Sequence, residues 1–400
     1  MPTLVSLVFT IMTEILRGLK VIDLSVARAG PVTVRQLADF GADVIRVETP
    51  SDTNSIVRDH SSSDYINLHG NKRLITLDLK KPDGHEALLR LLGTADVLVE
   101  NFRPAVKQRL TIDYPALEPR FPRLIYGSIS GYGQTGPRAE QGAVDQIMQG
   151  AAGLMSITGL PDSGPVRTGI AISDIAAGTL LANGILLALI ERAASDRGQW
   201  VQVSLLEAVL TFLDFQAVRW TADREVPGLS GNDHPSSTPM GAFQASDGLL
   251  NVAAPSDRLF GRLCEALAVP HLMANQDFAT ARARHAHRDQ LKKQLQEVFG
   301  RRTRADWIAV LDEAGVPCGP VNSIGEAFED PQVRHLGMTV PVEHPRRGLV
   351  EVLRNPLSFS RSERAAKTPS PTASQHTDEI LGELGYTAGE IASMHAREVV

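Results

Sequence analysis

Short apolar runs and helical spacing alternate along the first third of the chain. Residues 19–24 (LKVIDL) form a run rich in β-branched side chains, and Ala29-Gly30-Pro31 opens a helical pattern through Leu37 and Phe40. Gly41-Ala42 interrupts it, and a second run over 43–47 ends on Glu48. This spacing predicts a strand, a helix and a strand, the parts of a right-handed βαβ unit. The unit recurs with a strand over 74–79, a helix over 82–92 opened by Asp83-Gly84, and a strand over 97–99. Residues 124–130 (LIYGSIS) supply a further buried strand. Such alternation implies an α/β fold with a parallel, Rossmann-like sheet.

The pattern then changes. Residues 176–192 read as a long apolar helix whose Gly178, Ala182 and Gly184 permit close packing. Gly198 precedes a strand over 200–203 and a helix over 205–220. Residues 224–238 turn to Gly, Pro, Ser, Asn and Asp, the composition of a linker. A hairpin is expected over 243–254, around Asp247-Gly248, followed by amphipathic helices over 258–268, 284–299 and 304–314. These suit a smaller α+β domain. From Asp330-Pro331 the chain reads as irregular and proline-rich until a last short helix over 379–384.

Composition narrows the function. The net charge of −6 argues against general nucleic-acid binding, while leaving room for a local basic pocket that takes an anionic ligand. Cys264 and Cys318 lie far apart and match neither a disulfide framework nor a zinc spacing, so two free thiols in a reducing cytoplasm are expected, with no metal. The apolar start MPTLVSLVFTIM lacks a basic region and a cleavage site, and Met12 is an alternative start. No apolar run reaches the roughly 20 residues of a membrane helix, so no membrane partner is expected.

One motif misleads. Gly131-Tyr132-Gly133-Gln134-Thr135-Gly136 matches the dinucleotide fingerprint and follows a strand. That fingerprint must also open a helix, whereas Pro137 to Gly142 is charged and broken. A glycine loop beside a ligand, centred on Gly133, is the better reading.

The segments LKVIDLSVARAGP, LADFGADVIRVE, NKRLITLDL, VENFRP, GYGQTGP, GPVNSI and HTDEILGELG occur in that order from Gly18 onward. Together the chain resembles the class III CoA-transferases, the family of formyl-CoA transferase and carnitine CoA-transferase. The family also contains alpha-methylacyl-CoA racemases. The resemblance implies a Rossmann-like large domain built from both chain ends, a small domain from the middle, and two subunits interlocked as rings. It divides the chain into 13–200 (large domain, N-terminal part), 201–225 (helical linker), 226–328 (small α+β domain) and 329–400 (return linker and C-terminal part of the large domain).

The family nucleophile matches Asp174, which by sequence alone also reads as the cap of the following helix. A carboxylate can serve as covalent nucleophile toward a thioester. Coenzyme A is then a co-substrate, and no other cofactor is implied. Its phosphates need basic groups and amides, and the matching candidates are Asn71, Lys72, Arg73, Asn101, Phe102 and Arg109. Loop charges for Lys72 and Arg73, and core packing for Phe102, are the plainer alternatives. Arg28 stands where formyl-CoA transferase has glutamine. It suits a second carboxylate on the acyl group, as in succinate, mesaconate or itaconate, or else pairs with Asp39 or Glu48. His234 lies where the family places a mobile loop, with Asn232 and Pro235 beside it. Racemases carry a His-Asp pair where this chain has Val144-Asp145, and valine cannot exchange a proton. His376 and His395 read as exposed structural residues. The competing readings are a racemase, a CoA-binding regulator without catalysis, and a nicotinamide-dependent oxidoreductase.

Overall fold

A computed structural model describes residues 14–50 and 59–400, so the apolar start and Met12 lie outside the described residues. The chain forms two compact units. The first comprises the chain up to Leu154, Thr168–Arg224 and Gly337–Val400, and the second Met155–Arg167 and Glu225–Leu336.

In the first unit, β1 (Lys20–Asp23), α1 (Ala29–Ala38), β2 (Asp43–Glu48), α2 (Ser63–His69), β3 (Lys72–Thr76), α3 (Pro82–Leu92), β4 (Val97–Glu100), α4 (Pro104–Arg109) and β5 (Ile125–Ser130) follow in order. After α5 (Asp145–Ala151) and α6 (Ile172–Ser195) come β6 (Trp200–Ser204), α7 (Leu205–Phe212) and α8 (Phe215–Asp223). The six strands pair in the order β3-β2-β1-β4-β5-β6, and every pairing is parallel. The order reverses between β1 and β4, which opens a crevice at their carboxyl ends. The predicted α/β class and parallel sheet are thus present.

Both faces of the sheet are covered. Ile22, Ile45, Ile75 and Leu98 pack with α3 and the C-terminal helices, while Val21, Val44, Val99 and Ile125 pack with α1 and α6. Close approach sets the turn after β1, since a Cβ on Gly30 would lie 2.1 Å from the Ser25 Cβ. Gly178 does the same for α6, where a Cβ would lie 2.5 Å from the Ala29 carbonyl oxygen. At 24 residues, α6 is long and apolar enough to cross a membrane by length and composition alone. Its small and apolar face is nonetheless buried at Ala176, Ala177, Leu181 and Ile185, against α1 and the sheet.

The second unit contains β7 (Met240–Ala245), β8 (Gly248–Ala253), α9 (Asp257–Ala266), α10 (Arg288–Phe299), α11 (Arg304–Glu313) and β9 (Cys318–Pro320). Its three strands pair antiparallel in the order β9-β8-β7 around a core of Phe243, Phe278, Phe299 and Trp307.

Past Leu336 the chain rejoins the first unit. It forms a hairpin of β10 (Thr339–His344) and β11 (Gly348–Leu353), then α12 (Thr377–Glu383) and α13 (Ala388–Ala396). This end is tied to β3. The backbone N–H of Leu74 donates to His376 Nδ1 at 3.1 Å, and that of Thr76 to Thr377 Oγ1 at 3.1 Å. His395 is held by Asp378 at 2.7 Å.

Several elements differ from the expectation, among them the helix expected over 176–192, which begins at Ile172 and so includes Asp174, and the last helix expected over 379–384, which α13 follows. Strand β3 begins at Lys72 rather than 74, because its pairing with Val44 starts there. The helix expected over 205–220 breaks at Asp214, whose φ of 49° is left-handed. The helix expected over 284–299 breaks at His287, which ends Ala281–Ala286 and precedes α10. The stretch after Asp330 is ordered as the helix Pro331–Leu336 and the β10–β11 hairpin, where Val340 and Val342 lie opposite Val352 and Val350.

Candidate active site

The turns after β1 and β4 meet at the reversal of strand order. Asn101, just past β4, accepts from the Val26 backbone N–H at 2.9 Å and donates to the Val26 carbonyl at 2.8 Å. One side chain thereby fixes the loop that ends in Arg28 against the loop that carries Phe102. Beneath them Glu100 accepts from Lys107 at 2.9 Å, from Ser128 at 2.5 Å and from the Phe102 N–H at 2.8 Å. Arg109 is exposed at the end of α4.

Arg28 is the N-cap residue of α1 and pairs with Asp64 at the start of α2, rather than with Asp39 or Glu48. Asp174 stands in the first turn of α6 and is half-buried. It is not the cap: that position is Ala171, which offers no side-chain acceptor. Asp174 has no hydrogen-bond partner among the described residues. Burial raises its pKa to about 6 and the neighbouring Asp145 adds to the rise, while Arg28 opposes it. A carboxylate at a helix N-terminus would ordinarily be favoured as the anion, so burial and like charge outweigh that effect here.

Asp145 and Gln149, one turn apart on α5, shape the entry into α6. Asp145 Oδ1 accepts from the Ser173 N–H at 3.0 Å and its hydroxyl at 2.7 Å, and Oδ2 accepts from Gln149 Nε2 at 2.7 Å. Sequence reasoning did not single out Gln149 or Ser173, and it considered Asp145 only as the neighbour of Val144. The signal it had was an acid and an amide at i, i+4. Val144 itself is 61% exposed, with no ionisable group to offer.

The other predicted residues lie elsewhere. Asn71, Lys72 and Arg73 enter β3 from its amino end, whereas the crevice opens at the carboxyl ends. Asn71 Oδ1 accepts from the Thr368 N–H at 2.6 Å. Lys72 is buried, with Nζ 3.2 Å from Asp23 and 3.1 Å from His69. Arg73 bonds Asp43, Glu379 and Glu383 at 2.7–3.0 Å. Gly133, at φ 109°, donates its N–H to Ser130 Oγ at 3.0 Å, and no helix begins after the glycine loop until Asp145. In the second unit, His234 borders a hollow of about 620 Å³ with Asn232, Met240, Asn251 and Cys318.

Known proteins give the arrangement a context. The model of CoA-transferase family III matches residues 16–377. The chain is 35% identical to succinate–glutarate CoA-transferase of Agrobacterium fabrum, over 92% of this chain and 95% of that one. It is 32% identical to succinyl-CoA:mesaconate CoA-transferase of Haloarcula hispanica, over 94% and 97%. A crystal structure of a CAIB/BAIF family protein from Brucella suis superposes with a TM-score of 0.83 at 36% identity, covering 93% of this chain and all of that one. The chain belongs to CoA-transferase family III and is a CoA-transferase enzyme.

Proposed function

We propose that Asp174 is the nucleophile and that the enzyme moves coenzyme A between short dicarboxylic acids. The observation that carries this is the half-buried carboxyl on the first turn of α6, which feels the charge of Arg28 and has no hydrogen-bond partner among the described residues. Buried carboxylates are ordinarily neutralised, and one left open is available to a substrate.

The chemistry then runs in balanced exchanges. Ionised Asp174 attacks the acyl-CoA carbonyl, the C–S bond breaks, and CoA thiolate leaves a mixed anhydride on the enzyme. The thiolate attacks the aspartyl carbonyl of that anhydride, which forms an aspartyl-CoA thioester and releases the donor acid. The acceptor carboxylate attacks this thioester, and CoA thiolate then attacks the acceptor's acyl carbonyl, restoring Asp174. Thioesters and anhydrides are of comparable energy, so the cycle calls for no ATP. It does require that water be kept from both intermediates. On the coenzyme, Arg109 at the end of α4 offers an exposed cation, while Phe102 is half-buried against the core on the loop that Asn101 holds in place.

Arg28 is the proposed specificity residue. Its present partner, Asp64, is more than half exposed, so the distal carboxylate of a substrate can take that place at small cost. Relatives named for succinate, glutarate and mesaconate favour this substrate class. A screen of acyl-CoA donors against carboxylic acids, read by mass spectrometry, tests it. Succinyl-CoA should far exceed butyryl-CoA as donor, and Arg28→Gln should shrink that preference by about 1.5–3 kcal/mol, the worth of a charged hydrogen bond. Equal rates with both donors would overturn the assignment.

The working form is a homodimer in this reading. Leu187 and Ile190 of α6 and Phe212, Phe215, Val218 and Trp220 of α7 and α8 are 45–71% exposed, a run of outward apolar side chains that a second copy would cover. Free Cys264 and Cys318 fit a reducing cytoplasm.

A further inference from the structure

We infer that Asp145, braced by Gln149, is the positioning residue of the nucleophile: it caps α6 from a neighbouring helix and holds a negative charge beside Asp174. This deepens the reading of Asp174 as nucleophile and rests on it.

The geometry begins with a missing cap. The first N–H groups of a helix need acceptors, and Ala171 at the N-cap supplies none. Asp145 takes over that task from α5, accepting both the N–H and the hydroxyl of Ser173, the residue before Asp174. Gln149 fixes the segment leading into α6. Its Oε1 accepts from the Thr168 N–H at 2.9 Å, and its Nε2 reaches the Ile170 carbonyl at 3.2 Å as well as Asp145. Gln149 and Ser173 are fully buried and Asp145 is 8% exposed, so the clamp works in a medium of low dielectric.

An electrostatic consequence follows. A neutral cap would hold the helix equally well, yet here the cap carries a charge that repels ionisation of Asp174. The groups that act on Asp174 are Asp145 from α5 and Arg28 from α1; Arg35 of α1 is turned to Asn67, and Glu207 of α7 to Ser204. A carboxylate poised near pH 6 is more basic than an ordinary aspartate, and hence a stronger nucleophile once ionised. It is also the poorer leaving group of the mixed anhydride, so the CoA thiolate that attacks the aspartyl carbonyl expels the more weakly basic donor carboxylate.

The test follows formation of the CoA adduct on the Asp174 peptide in single turnovers from pH 4.5 to 8. Wild type should show an acid limb centred near pH 6, where Asp174 titrates. Asp145→Asn should move that midpoint down by about one unit, with a several-fold lower plateau rate above pH 7. Ser173→Ala, which loses a bond but no charge, should lower the rate and leave the midpoint in place. If Asp145→Asn does not fold, Asp145→Ser serves as a second variant that removes the charge and leaves Gln149 its bond to the Ile170 carbonyl, and the same downward shift is expected. An unmoved midpoint in the folded charge variant overturns the inference while leaving the nucleophile intact. Absence of any adduct on Asp174 in wild type overturns the underlying reading instead.

Discussion

Two carboxylate sites in the first unit answer burial in opposite ways. Around the ends of β1 and β2, Asp23 and Glu48 are buried among cations. Asp23 meets Lys72 at 3.2 Å and Arg46 at 3.5 Å, and Glu48 meets Arg46 at 2.7 Å and His60 at 3.1 Å. Burial alone would raise both, but the partners win: Asp23 is held below its usual range and Glu48 falls to about 2. At the start of α6, burial meets another carboxylate, and Asp174 rises to about 6. Burial sets the stakes, and the sign of the nearest charge decides the outcome. The first arrangement fastens strands together. The second leaves a half-buried carboxyl with no hydrogen-bond partner among the described residues, which suits the nucleophile proposed above.

The comparison can be broken most forcefully at Arg46. Arg46→Met leaves Asp23 and Glu48 short of their shared cation inside the core, and should cost about 3–5 kcal/mol in urea unfolding. A loss below about 1 kcal/mol would mean that the cluster is not what holds the strand ends.

A smaller effect of opposite sign is expected at the second site. The folded pKa of Asp174 exceeds its ordinary value of 3.8, so its ionisation works against folding. That penalty is fully present above pH 6 and is relieved as pH falls through 6 toward 4. Glu48, depressed from 4.5 to about 2, contributes stability above pH 4.5 that is lost on descending through that window. Asp174→Asn should therefore stabilise the protein at pH 7 by about 1–2 kcal/mol, discounted for its partial exposure, and by little at pH 4. Thermal melts at the two pH values check this. Equal shifts at both would assign the effect to packing rather than charge.

Much of the scaffold was legible because the strands of a buried parallel sheet are continuous β-branched runs, such as Val21-Ile22 and Val44-Ile45. Their order was not, since it depends on pairings such as Val21 with Val97 across the sheet. Asp174 could not be told from a cap by spacing, and only the family likeness singled it out. The bond from Ser173 beside it to Asp145 was invisible because those partners are 28 residues apart and meet through the fold. Arg73 shows the reverse error of emphasis. A lysine-arginine pair at a turn reads as a phosphate contact, yet its guanidinium is tied to Glu379 and Glu383, more than 300 residues away. Local sequence carries the elements, while long-range charge pairing decides which cations remain for a ligand.

The central claim is that Asp174 carries coenzyme A during turnover. Its most direct test is to incubate the enzyme with succinyl-CoA, trap with hydroxylamine or borohydride, and map the product by peptide mass spectrometry. A modification confined to the peptide bearing Asp174, absent from a folded and CoA-binding Asp174→Ala variant that no longer transfers, is the predicted result. Unmodified Asp174 peptide in active enzyme, or near-normal turnover by the alanine variant, would contradict it.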